Sequence, residues 1–346
     1  MSTACFPKDQ PLVWVLDDEF ENLAFEKSLL EDAGIKFAHS TSLTFARDYP
    51  VYAPLADAVL MQVSFRINTA QALGLTKCKI ISVLGVGYDN VPLEAANERG
   101  ILVCTVPDYC VAEVSDHTMA LLLALARRVT RFNNEVRQGS WQPIHNGMFC
   151  LAGQILGLVG FGRIARAVAK KAAAFDLRVL SCDPYVEART MAALNTEKAD
   201  LATLLKRSDY VSLHVPLESS TKSLIGPQEL SLMKRNACLI NTSRGSLIDE
   251  HALAEALRNG VIAGAALDVM QEEPPEANNY LLKTDKTIIT PHVAYYSEQS
   301  LLRLRRTAVE NVIRALEGEQ PVNVINFPAL AYIESASERT GSAGAI

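Results

Sequence analysis

The chain has 346 residues, 49% hydrophobic and 21% charged, enough to bury two cores of ordinary size. Its formal net charge of −6 argues against a nucleic-acid or membrane-surface binder, so an anionic substrate needs positive charge supplied locally. The seven cysteines, Cys5, Cys78, Cys104, Cys110, Cys150, Cys182 and Cys238, form no CxxC pair and no cluster with histidine. Residues 1–10 hold no signal-peptide core, and the longest purely apolar run is 119–126. A reduced, cytoplasmic chain without a metal site or membrane span is expected.

An apolar run at 12–16 predicts a buried strand. Asp17, Asp18 and Glu19 follow it and suit the start of a helix reaching Ala33, where Gly34 stops it. Runs at 58–63 and 79–84 predict further strands, the second leading into Gly85-Val86-Gly87-Tyr88-Asp89-Asn90. A pattern over 113–136, apolar on most faces, predicts one long helix covered on several sides. From Gln154 the rhythm is regular, with strands at 154–159, 178–182, 210–214, 237–241, 264–268 and 287–290 and helices between most of them, such as 201–207 and 250–259. A last helix at 297–317 is expected to return to the first domain, and the Ser-, Ala- and Gly-rich tail from about Ser335 to be disordered. Repeated strand–helix units define an α/β fold with parallel sheets covered on both faces.

Within the regular part lies Gly157-Leu158-Val159-Gly160-Phe161-Gly162-Arg163-Ile164-Ala165. Such a glycine spacing is weak alone, but here a buried strand precedes it. A helix follows with Ile164, Val168, Ala172 and Phe175 on one face, and the next strand ends in Asp183. Gly160 permits the tight turn, Gly162 lets backbone approach a pyrophosphate, and Ala165 allows close helix–strand packing. The helix N-terminus offers N–H groups to phosphates. Asp183 suits ribose hydroxyls and repels a 2′-phosphate, and Pro184 and Tyr185 supply no replacement cation, so NAD is expected over NADP.

Three further segments sit at predicted strand ends, where ligands bind in open α/β sheets. Asn241-Thr242-Ser243-Arg244-Gly245 presents an arginine able to grip a carboxylate in bidentate fashion. Asp268-Val269-Met270-Gln271-Glu272-Glu273-Pro274-Pro275 fixes Glu273 just before two prolines. Thr290-Pro291-His292-Val293-Ala294-Tyr295-Tyr296-Ser297 offers His292, suited to proton exchange near neutrality, and a nearby carboxylate would orient its ring. Each alone has a plain structural explanation: a surface ion pair, an acidic turn, a capping histidine.

In this order, after the glycine fingerprint, the three segments resemble the D-isomer-specific 2-hydroxyacid dehydrogenase family. The resemblance runs from about Leu12 to Asn326 and includes Val106-Pro107-Asp108-Tyr109. Cys182-Asp183-Pro184-Tyr185 and Ala294-Tyr295-Tyr296-Ser297-Glu298-Gln299 are most similar to the branch of the C-terminal-binding proteins and their bacterial relatives. The resemblance implies two doubly wound parallel-sheet domains. A Rossmann NAD-binding domain (113–297) is inserted in a smaller flavodoxin-like substrate domain (1–112 and 298–332), with 333–346 as the tail. It implies hydride transfer between NAD and a small anionic 2-keto or 2-hydroxy acid of D configuration, with Arg244, Glu273 and His292 catalytic. Cofactor contacts are implied for Val159, Gly160, Phe161, Gly162, Arg163, Ile164, Asp183, Val215, Thr221, Thr242, Ser243, Arg244, Asp268, His292 and Thr118. Substrate contacts are implied for Val86, Gly87, Arg244 and Tyr295. A homodimer is expected. Tyr295 stands where animal members of that branch carry tryptophan, and Val83 where many members carry arginine; both positions face substrate in the family. Two rival readings are a phosphite dehydrogenase and an NAD(H)-responsive dimeric binding protein of the C-terminal-binding-protein type. A formate dehydrogenase is disfavoured, because those of this fold pair the histidine with glutamine.

Overall fold

The computed structural model describes residues 10–143 and 147–326; the expected tail lies outside them. The described chain forms two compact units. One joins the residues up to Tyr109 with those from Glu298, and the other spans Cys110–Ser297.

The first unit holds β1 (Leu12–Leu16), α1 (Ala24–Asp32), β2 (Lys36–Ser40), α2 (Ser42–Tyr52), β3 (Ala58–Gln62), α3 (Thr69–Leu73), β4 (Ile80–Leu84), α4 (Leu93–Glu98) and β5 (Leu102–Cys104). Its strands are all parallel in the order β2-β1-β3-β4-β5, the flavodoxin-like winding. Alternate strand residues face opposite sides. Leu12, Trp14, Leu16, Val59, Met61, Ile81 and Val83 therefore share one core, packed by Phe45, Tyr49 and Tyr52 of α2 and by Ala95 and Ala96 of α4. Val83 is fully buried there. The expectation that it faces substrate is thus corrected: its place in β4 aims it into the apolar core.

The second unit begins with α5 (Val111–Arg127) and α6 (Val129–Arg137). It continues with β6 (Ile155–Val159), α7 (Arg163–Ala173), β7 (Arg178–Cys182), α8 (Ala188–Ala192), β8 (Thr196–Lys198), α9 (Leu201–Arg207), β9 (Tyr210–Leu213), α10 (Pro227–Leu232), β10 (Cys238–Asn241), α11 (Glu250–Arg258), β11 (Gly264–Leu267) and β12 (Thr287–Ile289). Its seven parallel strands run β12-β11-β10-β9-β6-β7-β8, so the winding reverses between β6 and β9, the switch point of a Rossmann sheet. Leu156 and Leu158 of β6 and Tyr210 of β9 pack with α5 and α7 on one face. Val211 and Leu213 of β9 pack with α9, α10 and α11 on the other. Both faces are covered, as the doubly wound expectation requires. The long helix α12 (Glu298–Glu317) belongs to the first unit, where the carbonyl of its Ala308 accepts the Ser82 hydroxyl of β4 at 2.9 Å.

Two expectations change. The single helix over 113–136 is two helices, broken at Arg128, which takes the left-handed φ of 52° that commonly ends helices. Only α5 is buried, and α6 has no buried residue. Phe175 lies past the end of α7 and is 39% exposed, so the inward face of that helix is made by Ala165, Val168, Ala169 and Ala172.

Candidate active site

The glycine turn after β6 sits at the switch point. Gly160 has φ +95°, and a Cβ there would come within 2.6 Å of the His214 carbonyl oxygen and 2.9 Å of Val215 Cγ1. A side chain is excluded on both conformational and steric grounds. Gly162 caps α7, and a Cβ there would meet nothing within 4 Å. Open space therefore lies over the start of an eleven-residue helix whose first turn has neither a side-chain cap nor an acidic residue. That is the cradle a dinucleotide pyrophosphate needs. Phe161 and Val159 are buried, Ile164 is half-buried and Arg163 is exposed. Asp183 follows β7 directly, where Oδ2 accepts the Phe161 N–H and Oδ1 the Tyr185 N–H, both at 2.9 Å. Its carboxylate is thus anchored to the glycine turn itself.

The loop after β9 carries Val215 against Gly160. The Thr221 hydroxyl is used inside that loop, donating to the Pro216 carbonyl at 2.7 Å and accepting the Glu218 N–H at 2.8 Å. Thr118 of α5 is fully buried, and its hydroxyl lies 3.0 Å from that of Thr242. It backs Thr242 and exposes no surface of its own.

After β10 the chain turns under the control of Asn241, whose side chain accepts the Ser243 N–H at 3.0 Å and donates to the Arg244 carbonyl at 2.8 Å. Ser243 Oγ donates to the Leu213 carbonyl at 2.8 Å, tying β10 to β9. Arg244 is half-buried, and its Nη1 donates to the Ser243 carbonyl at 2.8 Å. Gly245 lets this loop meet the next one backbone to backbone, because a Cβ would fall 2.0 Å from the Met270 carbonyl carbon.

Glu273 and His292 meet: Glu273 Oε2 lies 2.7 Å from His292 Nδ1, and Glu273 Oε1 accepts the Met270 N–H at 2.9 Å. Burial alone would raise the Glu273 pKa. The His292 bond and charge, the Met270 N–H and the Arg244 charge outweigh it and hold the carboxyl below its ordinary range. His292 has a left-handed φ of 52°, unusual for a residue other than glycine. Tyr295 stands edge-on to its ring, with centroids 6.3 Å apart.

Asp268, expected as a cofactor contact, is 1% exposed. Its Oδ1 accepts the Thr290 hydroxyl at 2.6 Å and the Val293 N–H at 2.9 Å, and its Oδ2 accepts the Ala294 N–H at 2.9 Å. It shapes the His292 loop rather than presenting a surface. His117 joins this network, and sequence reasoning passed over it, because a lone histidine on an apolar helix carries no signal. Val86 and Gly87 follow β4 in the first unit, Val86 exposed and Gly87 half-buried.

Residues 119–294 match the model of the D-isomer specific 2-hydroxyacid dehydrogenase NAD-binding domain. The chain is 39% identical over 281 residues to the glyoxylate reductase of Thermococcus litoralis, covering 79% of this chain and 85% of that one. It is 38% identical over 274 residues to the D-3-phosphoglycerate dehydrogenase of Methanocaldococcus jannaschii, covering 79% of this chain and 52% of the relative, so the match spans about half of that enzyme. The solved D-lactate dehydrogenase of Aquifex aeolicus, complexed with NAD and lactic acid, superposes with a TM-score of 0.79 at 29% identity over 93% of this chain and 98% of that one. The fold and the glycine turn define an NAD-binding oxidoreductase. The chain belongs to the D-isomer specific 2-hydroxyacid dehydrogenases.

Proposed function

We propose that the chain reduces a small 2-keto acid to the D-hydroxy acid with NADH, with the first unit as the substrate-binding domain. The observation that carries the reading is the His292–Glu273 pair at 2.7 Å, carried by loops beyond two strands of the sheet that forms the nucleotide cradle. Val159 to Ile164 and Asp183 would hold the cofactor, with Val215 packed on the glycine turn. The bound nicotinamide supplies the hydride. Glu273 occupies Nδ1 of His292, which leaves Nε2 to give its proton to the substrate carbonyl oxygen as negative charge develops there. The Glu273 carboxylate at Nδ1 orients the ring. Arg244 grips the substrate carboxylate and stabilises the developing alkoxide. Thr242 and Ser243 brace the Arg244 turn.

Tyr295 beside His292 and the similarity to a glyoxylate reductase support a short side chain on the substrate, as in glyoxylate or hydroxypyruvate. A cytoplasmic homodimer belongs to the same proposal. Exposed Val129, Val136, Trp141 and Phe149 offer apolar surface for a second copy, which sedimentation analysis checks.

The deciding experiment is kcat/KM for a panel of 2-keto acids with NADH and NADPH. Short keto acids with NADH are expected to lead, and Arg244→Ala and His292→Ala each to lose about a thousandfold. Wild-type turnover in both variants sinks the assignment. No turnover of any keto acid, together with NADH-dependent self-association, supports a binding protein instead.

A further inference from the structure

The turn that presents His292 is held largely by one residue, Asp268. Besides the three donors on its carboxylate, the Asp268 carbonyl accepts the His292 N–H at 2.7 Å. A left-handed histidine is costly and persists only where its surroundings over-determine it.

Behind Asp268 stands His117 of α5. Its Nε2 lies 3.0 Å from Thr290 Oγ1 and 3.5 Å from Asp268 Oδ1. The direction of these bonds follows from proton count. A threonine hydroxyl has one proton, and Thr290 gives it to Asp268 Oδ1 at 2.6 Å. The Thr290 oxygen can then only accept from His117, so His117 Nε2 carries a hydrogen. The result is a directed chain from His117 through Thr290 to Asp268, and such chains strengthen one another.

We infer that His117 is a positioning residue for His292: its Nε2–H locks the Thr290 hydroxyl onto Asp268 and so fixes the turn that aims the proton donor. The inference rests on the proposed role of His292, so its test includes readouts that need no turnover.

Nitrogen NMR of the wild-type protein is expected to show His117 protonated at Nε2; a ring bare at that nitrogen overturns the inference. His117→Leu is expected to lower kcat by about tenfold or more, with NAD affinity unchanged, and to shift the His292 ring-nitrogen resonances. His117→Gln, whose amide can donate to Thr290, is expected to restore both. Thr290→Val, near-isosteric and safer for folding, is expected to copy the leucine variant. If the leucine and glutamine variants are equally impaired, or if the leucine variant keeps wild-type kcat and unmoved His292 resonances, the inference fails. Because those resonances are read without substrate, a wrong reductase reading and a wrong positioning reading give different results.

Discussion

Each unit places a pair of glycines just past the end of an inner parallel strand, and the two turns do different work. After β6, Gly160 is left-handed and pressed against a backbone carbonyl, and an eleven-residue helix starts at Arg163. After β4, Gly85 is not left-handed, and the nearest atoms a Cβ there would meet are those of the Val63 side chain, the first at 3.0 Å. That second turn is closed by Asn90, whose amide donates to the Gln62 and Phe65 carbonyls at 3.1 and 2.9 Å, before a six-residue helix after Pro92. Glycine spacing alone therefore does not make a nucleotide cradle. The left-handed contact and the immediate helix start do.

Replacing Gly160 with alanine should have the largest effect. The new methyl faces backbone at 2.6 Å and has to hold φ +95°, so a stability loss of about 3 kcal/mol is expected in denaturant unfolding. NAD affinity by calorimetry is expected to fall about a hundredfold, because the turn can no longer close on the pyrophosphate. Native affinity in this variant would erase the distinction between the turns.

Glu273→Gln comes next and probes the far end of the same sheet. The Glu273 pKa is depressed in the fold. Its pairing therefore adds stability above the ordinary carboxylate range and loses it as pH falls through the folded value. The wild type is expected to outlast the variant in unfolding at neutral pH, and the gap to close in acid. Without the carboxylate the His292 ring loses the charged acceptor that orients it, so reductive kcat/KM at neutral pH is expected to fall about tenfold or more. Wild-type kcat/KM in the variant would show that Glu273 only shapes its loop.

The inner strands were legible because they are buried on both faces and read as unbroken apolar runs. The strands that escaped all lie at sheet edges: Lys36–Ser40 and Thr196–Lys198 are partly polar, and Leu102–Cys104 is apolar but only three residues long, too short to show a period. The break at Arg128 was hidden because no glycine or proline marks it. In the site, Gly160, Asp183, Arg244, Glu273 and His292 were legible because each follows a strand in a motif. The backing contacts were not: His117 and Asp268 are 151 residues apart and meet only through the fold. The closeness of Gly245 to Met270 likewise arises only in the folded chain.

The smallest effect tests the other half of the comparison. In Gly85→Ala the new methyl meets Val63 Cβ at 3.0 Å, and Val63 is half-buried with room to give a few tenths of an ångström. That strain opposes the gain from a stiffer unfolded chain, so stability is expected to stay within about 1 kcal/mol of wild type. NAD affinity is expected to be unchanged, because Gly85 belongs to the first unit and the cradle is built entirely in the second. Should Gly85→Ala weaken NAD as much as Gly160→Ala does, glycine content rather than a left-handed contact would be what the two turns share, and the division of labour between them would be wrong.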